Sequence, residues 1–163
     1  MLKWIFSMGL IVFLTACAHV ISQESLKKVD PDLTFQILIK HPDRYQRKQI
    51  LAGGRILSTE VREGETWVKV LQHPLDWKQK PKNTDESYGR FFIRFRGFLD
   101  PAIYTSGKRI TVLGEVQGRK VKRLSDMEYS YPVLLSLEHH LWKPENLGGP
   151  SFHFGIGIGG VIR

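Results

Sequence analysis

From Gln49 to Trp142 apolar and polar residues alternate with a period of two, the mark of half-buried β-strands. The first such run, Gln49–Glu63 (QILAGGRILSTEVRE), carries Leu51, Gly53, Arg55, Leu57, Thr59 and Val61 on one parity. Glu63-Gly64 then turns into Thr66–Leu75 (TWVKVLQHPL), which predicts a hairpin. A polar loop, Asp76–Ser87, leads to Tyr88–Phe98 (YGRFFIRFRGF), where Phe91, Ile93 and Phe95 alternate with Phe92, Arg94 and Arg96. That third strand therefore has one basic face. After the Leu99-Asp100-Pro101 turn, Lys108–Val121 and Tyr129–Trp142 supply two more strands, joined by a turn around Leu124-Ser125-Asp126. Upstream the spacing is helical: Leu33–Lys40 (LTFQILIK) predicts a short helix, started by Asp32 or Thr34 and stopped by His41-Pro42.

Five short strands, with glycines at Gly53, Gly54, Gly97, Gly114 and Gly118 where a coiled strand needs them, predict an all-β fold. The expected architecture is a small five-stranded OB-like barrel with one short N-terminal helix. An open sheet packed by the Leu33–Lys40 helix is the alternative. Closure is preferred because short antiparallel strands otherwise leave unpaired edges.

The ends of the chain differ from this middle. Met1-Leu2-Lys3 is a short positive segment, and Trp4–Leu14 is an apolar run shorter than the roughly 20 residues a membrane-spanning helix needs, so it reads as a secretory signal. It ends in Leu14-Thr15-Ala16-Cys17, which looks like a bacterial lipobox: small residues precede a cysteine whose thiol would be acylated before cleavage. A buried N-terminal helix that happens to hold a cysteine, or an ordinary cleaved signal with a free thiol, are the competing readings. The expected division is 1–16 signal peptide, 17–32 lipidated N-terminus and tether, 33–145 OB-like β domain, and 146–163 a Gly-rich tail. Ala18, rather than Asp, after the cysteine resembles the enterobacterial pattern for outer-membrane delivery.

Composition narrows the function. With 42% hydrophobic and 25% charged residues the chain can bury a core, which excludes wholesale disorder. The formal charge is +8, and loss of residues 1–16 removes only Lys3, leaving +7 on the mature chain. Such a surface suits nucleic acid, anionic lipid or lipopolysaccharide. A single cysteine excludes an internal disulfide and a Cys-rich zinc site.

Several strings together carry a resemblance to one family: the lipobox, Pro42-Asp43-Arg44-Tyr45 leading to Gly53-Gly54-Arg55-Ile56, Gly89-Arg90-Phe91, Gly97-Phe98-Leu99-Asp100-Pro101, Gly107-Lys108-Arg109-Ile110-Thr111-Val112-Leu113-Gly114, and Tyr131-Pro132 ahead of Leu141-Trp142. Over roughly residues 1 to 145 the chain resembles the Slp family of starvation-inducible outer-membrane lipoproteins. The resemblance implies a stress-related envelope lipoprotein, palmitoylated at its anchor, with no catalytic residues to carry over.

Candidate chemistry is sparse. His139-His140 and His153 bring imidazoles near one another in sequence, but adjacent strand residues face opposite ways, so no metal site is expected. Acylation would consume the Cys17 thiol, and no Gly-x-Ser-x-Gly elbow is present, so no enzyme and no cofactor are expected. Asp100-Pro101 reads as turn scaffold, with the carboxylate taking nearby N–H groups. Trp67, Trp77 and Trp142 read as core or rim residues rather than ligand platforms, Trp67 and Trp142 as core. Lys78, Lys80 and Lys82, with Arg90, Arg94 and Arg96 and with Arg119, Lys120, Lys122 and Arg123, can be read as one basic patch, either a solvated face or a contact. Arg94, Arg96, Lys120 and Lys122 are its candidate contacts for anionic lipid or lipopolysaccharide, and Phe92 with Arg94 a candidate stacking pair. The leading expectation is a non-enzymatic envelope lipoprotein held by its lipid anchor, its protein partner unknown. The alternative is an OB-type module binding an oligosaccharide or nucleic acid in its groove, and compartment argues against nucleic acid.

Overall fold

The computed structural model describes residues 20–144; the lipobox, Cys17, Ala18, His153 and the Gly-rich tail lie outside them. Five strands close into a barrel: β1 (Gln49–Arg62), β2 (Glu65–Gln72), β3 (Arg90–Arg96), β4 (Arg109–Leu124) and β5 (Met127–Leu141), in the order β1-β2-β3-β5-β4. All neighbours are antiparallel except β3 and β5, which run parallel through Phe92↔Val133 to Arg94↔Leu135. This is OB topology, and the open sheet is excluded because β1 pairs with β4 as well as with β2. The changeover occurs at Gly54, opposite Gln72 on one side and Ile110 on the other. A methyl group on Gly54 would collide with the Leu71 carbonyl, so only glycine lets the two neighbouring strands approach there.

The core follows from alternation. Ile50, Ala52 and Ile56, Val68 and Val70, Phe91, Ile93 and Phe95, Ile110, Val112 and Val116, and Leu134 meet inside the barrel. In β1 the core parity is thus the even one, and Leu51 and Leu57 of the other set are only half-buried. Helix α2 (Phe35–Lys40) starts at Thr34, whose hydroxyl accepts the Ile37 N–H, and Leu33, Phe35 and Leu38 close the core. The Phe35 and Phe91 rings meet at 5.2 Å. Sequence periodicity starts this helix two residues early, because Leu33 is buried beside it without belonging to it. A 3-10 turn, Pro42–Tyr45, follows directly.

The segment expected to be a tether is, from Val20 onward, folded against the barrel. Ile21 is wholly buried and its N–H donates to Gln79 Oε1 at 3.1 Å. The N–H and hydroxyl of Ser22 donate to the Glu138 carboxylate at 3.0 and 2.8 Å, and Ser25 Oγ joins them from α1 (Gln23–Leu26). Downstream, Asp30 pairs with Lys48 at 3.0 Å. One inserted isoleucine and a few side-chain hydrogen bonds have no periodicity, so local reading sees only polarity.

Those bonds make the latch acid-sensitive. The Ser25 and Ser22 donors hold Glu138 below its ordinary value of 4.5. A group depressed by folding stabilises above its unfolded value and loses that contribution as pH falls through the folded one. Exchange at the Ser22 amide, relative to its intrinsic rate, should therefore rise as the pH drops below 4.5, while the Phe91 amide stays protected. In Glu138→Gln protein this acid response should be gone; an unchanged profile would refute the latch.

Candidate functional site

On the outside of the barrel, β2, β3 and β5 place a second set of side chains together. Trp67 meets Phe92 edge-on at 5.7 Å, Phe92 meets Tyr131 at 5.0 Å, and Tyr131 meets Tyr129 at 4.5 Å. Val133 completes this cluster. The β4–β5 hairpin supplies the charge. Its register shifts between Val116 and Arg119, at Gly118 with φ 99°, and beyond the shift Lys120 lies opposite Tyr131 and Lys122 opposite Tyr129. A side chain at 118 would also run into Gln46 and Asp43.

Lys120 Nζ sits 4.2 Å from the Trp67 ring centre, Lys122 Nζ 5.3 Å from that of Phe92, and the Arg62 guanidinium 5.2 Å from Trp67. Arg94 reaches Gln117 Oε1 at 3.4 Å and lies 3.9 Å from Glu65. Arg96, exposed, is two residues further along the same face of β3. Burial against the ring, and then the charges of Arg62 and Lys122, lower the Lys120 ammonium from its usual range. Arg62, Arg94, Arg96, Lys120 and Lys122 here outnumber the carboxylates Glu60 and Glu65 and Glu115 behind Gln117, so the face is suited to an anion.

Each candidate residue can now be placed. Arg94, Arg96, Lys120 and Lys122 share this face, and the structure adds Arg62 and Trp67, which no local pattern marks. Phe92 is not a free platform: it is 4% exposed, packed under Trp67 and Tyr131, and the cation over its ring is Lys122 rather than Arg94. The larger basic patch divides. Arg119 turns away to Asp43 at 2.9 Å, and the Lys78–Lys82 loop lies at the far end of β4, where Thr111 Oγ1 donates to the Gln79 carbonyl at 2.6 Å. At that end Arg55, Lys108, Arg109 and Lys143 line a cleft of about 390 Å³ with Asn83. The Arg55↔Arg109 strand pairing creates it, and the two residues are too far apart in sequence for a local signal.

The remaining groups are structural. His139 contacts Phe95 edge-on at 4.9 Å and the Tyr104 hydroxyl at 2.9 Å, whereas His140 meets Trp142 edge-on at 4.6 Å, so the two rings serve opposite faces. Among the described residues no three His, Cys, Asp or Glu side chains gather as a metal-ligand set. Asp100 accepts the Ala102 N–H at 2.8 Å within its turn. Trp142 donates from Nε1 to Thr111 Oγ1 at 3.0 Å. Trp77 departs from the core-or-rim expectation: alone of the described tryptophans it projects into solvent, at 79% exposure, because it sits at the tip of the Asp76–Lys82 loop.

The sequence profile of the "Outer membrane lipoprotein Slp family" matches residues 14–153. The chain belongs to that family. As a Slp-family member it is a lipid-anchored protein of the outer membrane. It is 28% identical over 121 residues to "Outer membrane protein Slp" of Escherichia coli K12, covering 73% of this chain and 64% of that one. With "Uncharacterized lipoprotein YeaY" of the same strain it shares 23% over 131 residues, 80% of this chain and 67% of the relative. An "Uncharacterized protein" of Haemophilus influenzae is 31% identical over 96 residues, 58% of this chain and 52% of its own. This Slp-family chain thus spans about half to two thirds of the length of these curated relatives. Among solved structures, a small single-stranded DNA-binding protein from Streptomyces coelicolor superimposes with TM-score 0.40 and 10% identity over 59% of this chain and 94% of that one. The mitochondrial single-stranded DNA-binding protein Rim1 of S. cerevisiae gives 0.37 and 14% over 58% and 94%. Neither carries a ligand across to the Slp-family chain.

Proposed function

We propose that this Slp-family lipoprotein is a non-enzymatic envelope protein of the stress response that binds the anionic groups of lipopolysaccharide or anionic lipid. The ligand lies on the outer face of β2, β3 and β5. The observation that carries this reading is the pair of lysine amines held over Trp67 and Phe92 at 4.2 and 5.3 Å, flanked by Arg62 and Arg94. In barrels of this topology the outer face of strands two and three, between the β1–β2 and β4–β5 turns, is the natural place for a chain-like ligand. The test is binding of delipidated protein to lipopolysaccharide and to anionic and neutral vesicles. Reversing Arg94, Arg96, Lys120 and Lys122 to Glu should abolish it, at about 1 kcal/mol or more per charge at low ionic strength, and salt should weaken the native interaction steeply. Binding that survives all four reversals sinks the reading.

A second reading, an uncharged oligosaccharide taken against Trp67, is favoured by the half-buried position of that ring at the cluster's edge. It would be nearly insensitive to salt and lost in Trp67→Ala.

The anchor in this proposal is Cys17, acylated and first in the mature chain, with Ala18 as the sorting residue. In an enterobacterial host Ala18→Asp should hold the protein in the inner membrane, read by gradient fractionation. Equal distribution of the two forms would remove residue 18 from the address.

A further inference from the structure

The folded N-terminus fixes how the barrel meets its membrane. Cys17 precedes Ile21 by four residues, which at full extension span no more than about 14 Å. Ile21 is itself fully buried, and its N–H is bonded to Gln79 in the Asp76–Lys82 loop. A lipid on Cys17 therefore keeps this loop close to the bilayer surface.

The loop is built to be met. The Asp76 carboxylate takes the N–H groups of Lys78 and Lys80 at 2.8 and 2.9 Å, Lys82 N–H donates to the Pro74 carbonyl at 2.8 Å, and Leu75 pairs with Pro81. Gln79, at φ 66°, is buried beneath it. This rigid frame leaves Trp77 79% exposed, with the Lys78 ammonium 4.7 Å from its ring centre. A tryptophan beside lysines is the composition of a bilayer interface, the indole at headgroup depth and the cations on lipid phosphates. The cleft lined by Arg55, Lys108 and Lys143 extends the positive surface past Asn83, which borders both.

We infer that the Asp76–Lys82 loop is a second membrane contact, with Trp77 at the headgroups of the anionic bilayer that carries the lipid, and that the barrel stands with its ligand face turned away from that bilayer. The ligand face lies toward the other end of the strands: Glu138, beside the N-terminal segment, is seven residues along β5 from Tyr131, or about 23 Å. The protein then displays Lys120 and Lys122 to what approaches from the aqueous side. This inference rests on Cys17 being the anchor.

Because an acylated Cys17 leaves no free thiol, a single introduced cysteine can be labelled uniquely. Full-length lipoprotein carrying Lys78→Cys or Lys122→Cys, each nitroxide-labelled, is reconstituted in phosphatidylethanolamine–phosphatidylglycerol vesicles. Collision with oxygen, which partitions into lipid, is compared with collision with a water-soluble nickel chelate. The ratio should be severalfold higher for the label at 78 than for that at 122. Equal ratios, or a higher one at 122, in protein whose Cys17 is acylated overturn the inference and leave the anchor intact. A reactive Cys17 thiol in membrane-bound native protein instead overturns the anchor, and with it the short tether on which the orientation depends.

Discussion

Cys17→Ala protein is expected to leave the outer-membrane fraction altogether. The chain has no second cysteine to take the lipid. Among the described residues no helix is long and apolar enough to cross a membrane. Each buried methylene of an acyl chain contributes about 0.8 kcal/mol, so several chains outweigh by far what one interfacial tryptophan and a few lysines can supply. The peripheral contact of the Asp76–Lys82 loop orients the barrel and cannot hold it. Gradient fractionation measures the loss, and intact-mass analysis of the native protein should show a mature chain that starts at an acylated Cys17. Cys17→Ala protein that still sediments with the outer membrane, or a mature chain starting elsewhere, would falsify the anchor assignment.

The second large effect is on stability. Phe91 is wholly buried, central to the core, and packed against Phe35 across the end that α2 closes. Phe91→Ala removes a ring from a site bounded by strands that pair on both sides and cannot collapse into the space. The cost should be about 3–5 kcal/mol. Single domains are stable by only about 5–15 kcal/mol, so the variant should lose a large share of its folding free energy. Urea unfolding should show a lower midpoint with an unchanged slope. Leu137→Ala, at an exposed position of β5, provides the contrast and should shift stability by no more than about 0.5 kcal/mol. Similar midpoints for the two variants would mean that the core is not centred on Phe91.

The two effects separate two roles of the chain. With Cys17 as the proposed anchor, residues ahead of Val20 would decide where the protein is, and the barrel what it presents there. The folded N-terminal segment couples them, since Ile21 and the Ser22–Glu138 bonds turn a flexible leash into a mount. A lipoprotein on a long tether would sample every orientation; one anchored at Cys17, four residues ahead of a buried Ile21, would sample few.

All five strands, their boundaries within a few residues, and the turn at Glu63-Gly64 were legible in sequence because alternation and turn chemistry are local. The helix was legible for the same reason, read two residues too long at its start, with Thr34 as one of its two candidate caps. Gly53-Gly54 marked a bend, and the structure shows the cause in the approach of the Leu71 carbonyl. Parity alone puts each pair of candidate cations on one side of its own strand, since Arg94 and Arg96 are two apart on β3, as are Lys120 and Lys122 on β4. Parity could not say that β3 and β4 would bring those pairs together around Trp67, because β5 lies between the two strands in the barrel. Nor could it tell Phe92 the platform from Phe92 the packed ring, since burial on the outer face depends on Tyr131, which is 39 residues away.

The family, the strand count and the sign of the surface charge were readable from the sequence, each a matter of local spacing or composition. Barrel closure settled which cations lie together, that the basic positions divide into two patches rather than one, and that residues 20–32 pack against the barrel. The physical reason is the same in each case. Barrel closure joins segments far apart in the chain, as in Arg55↔Arg109, Ile21 on Gln79 and Ser22 on Glu138, and contacts made at such separations leave no period in the sequence for a local pattern to reveal.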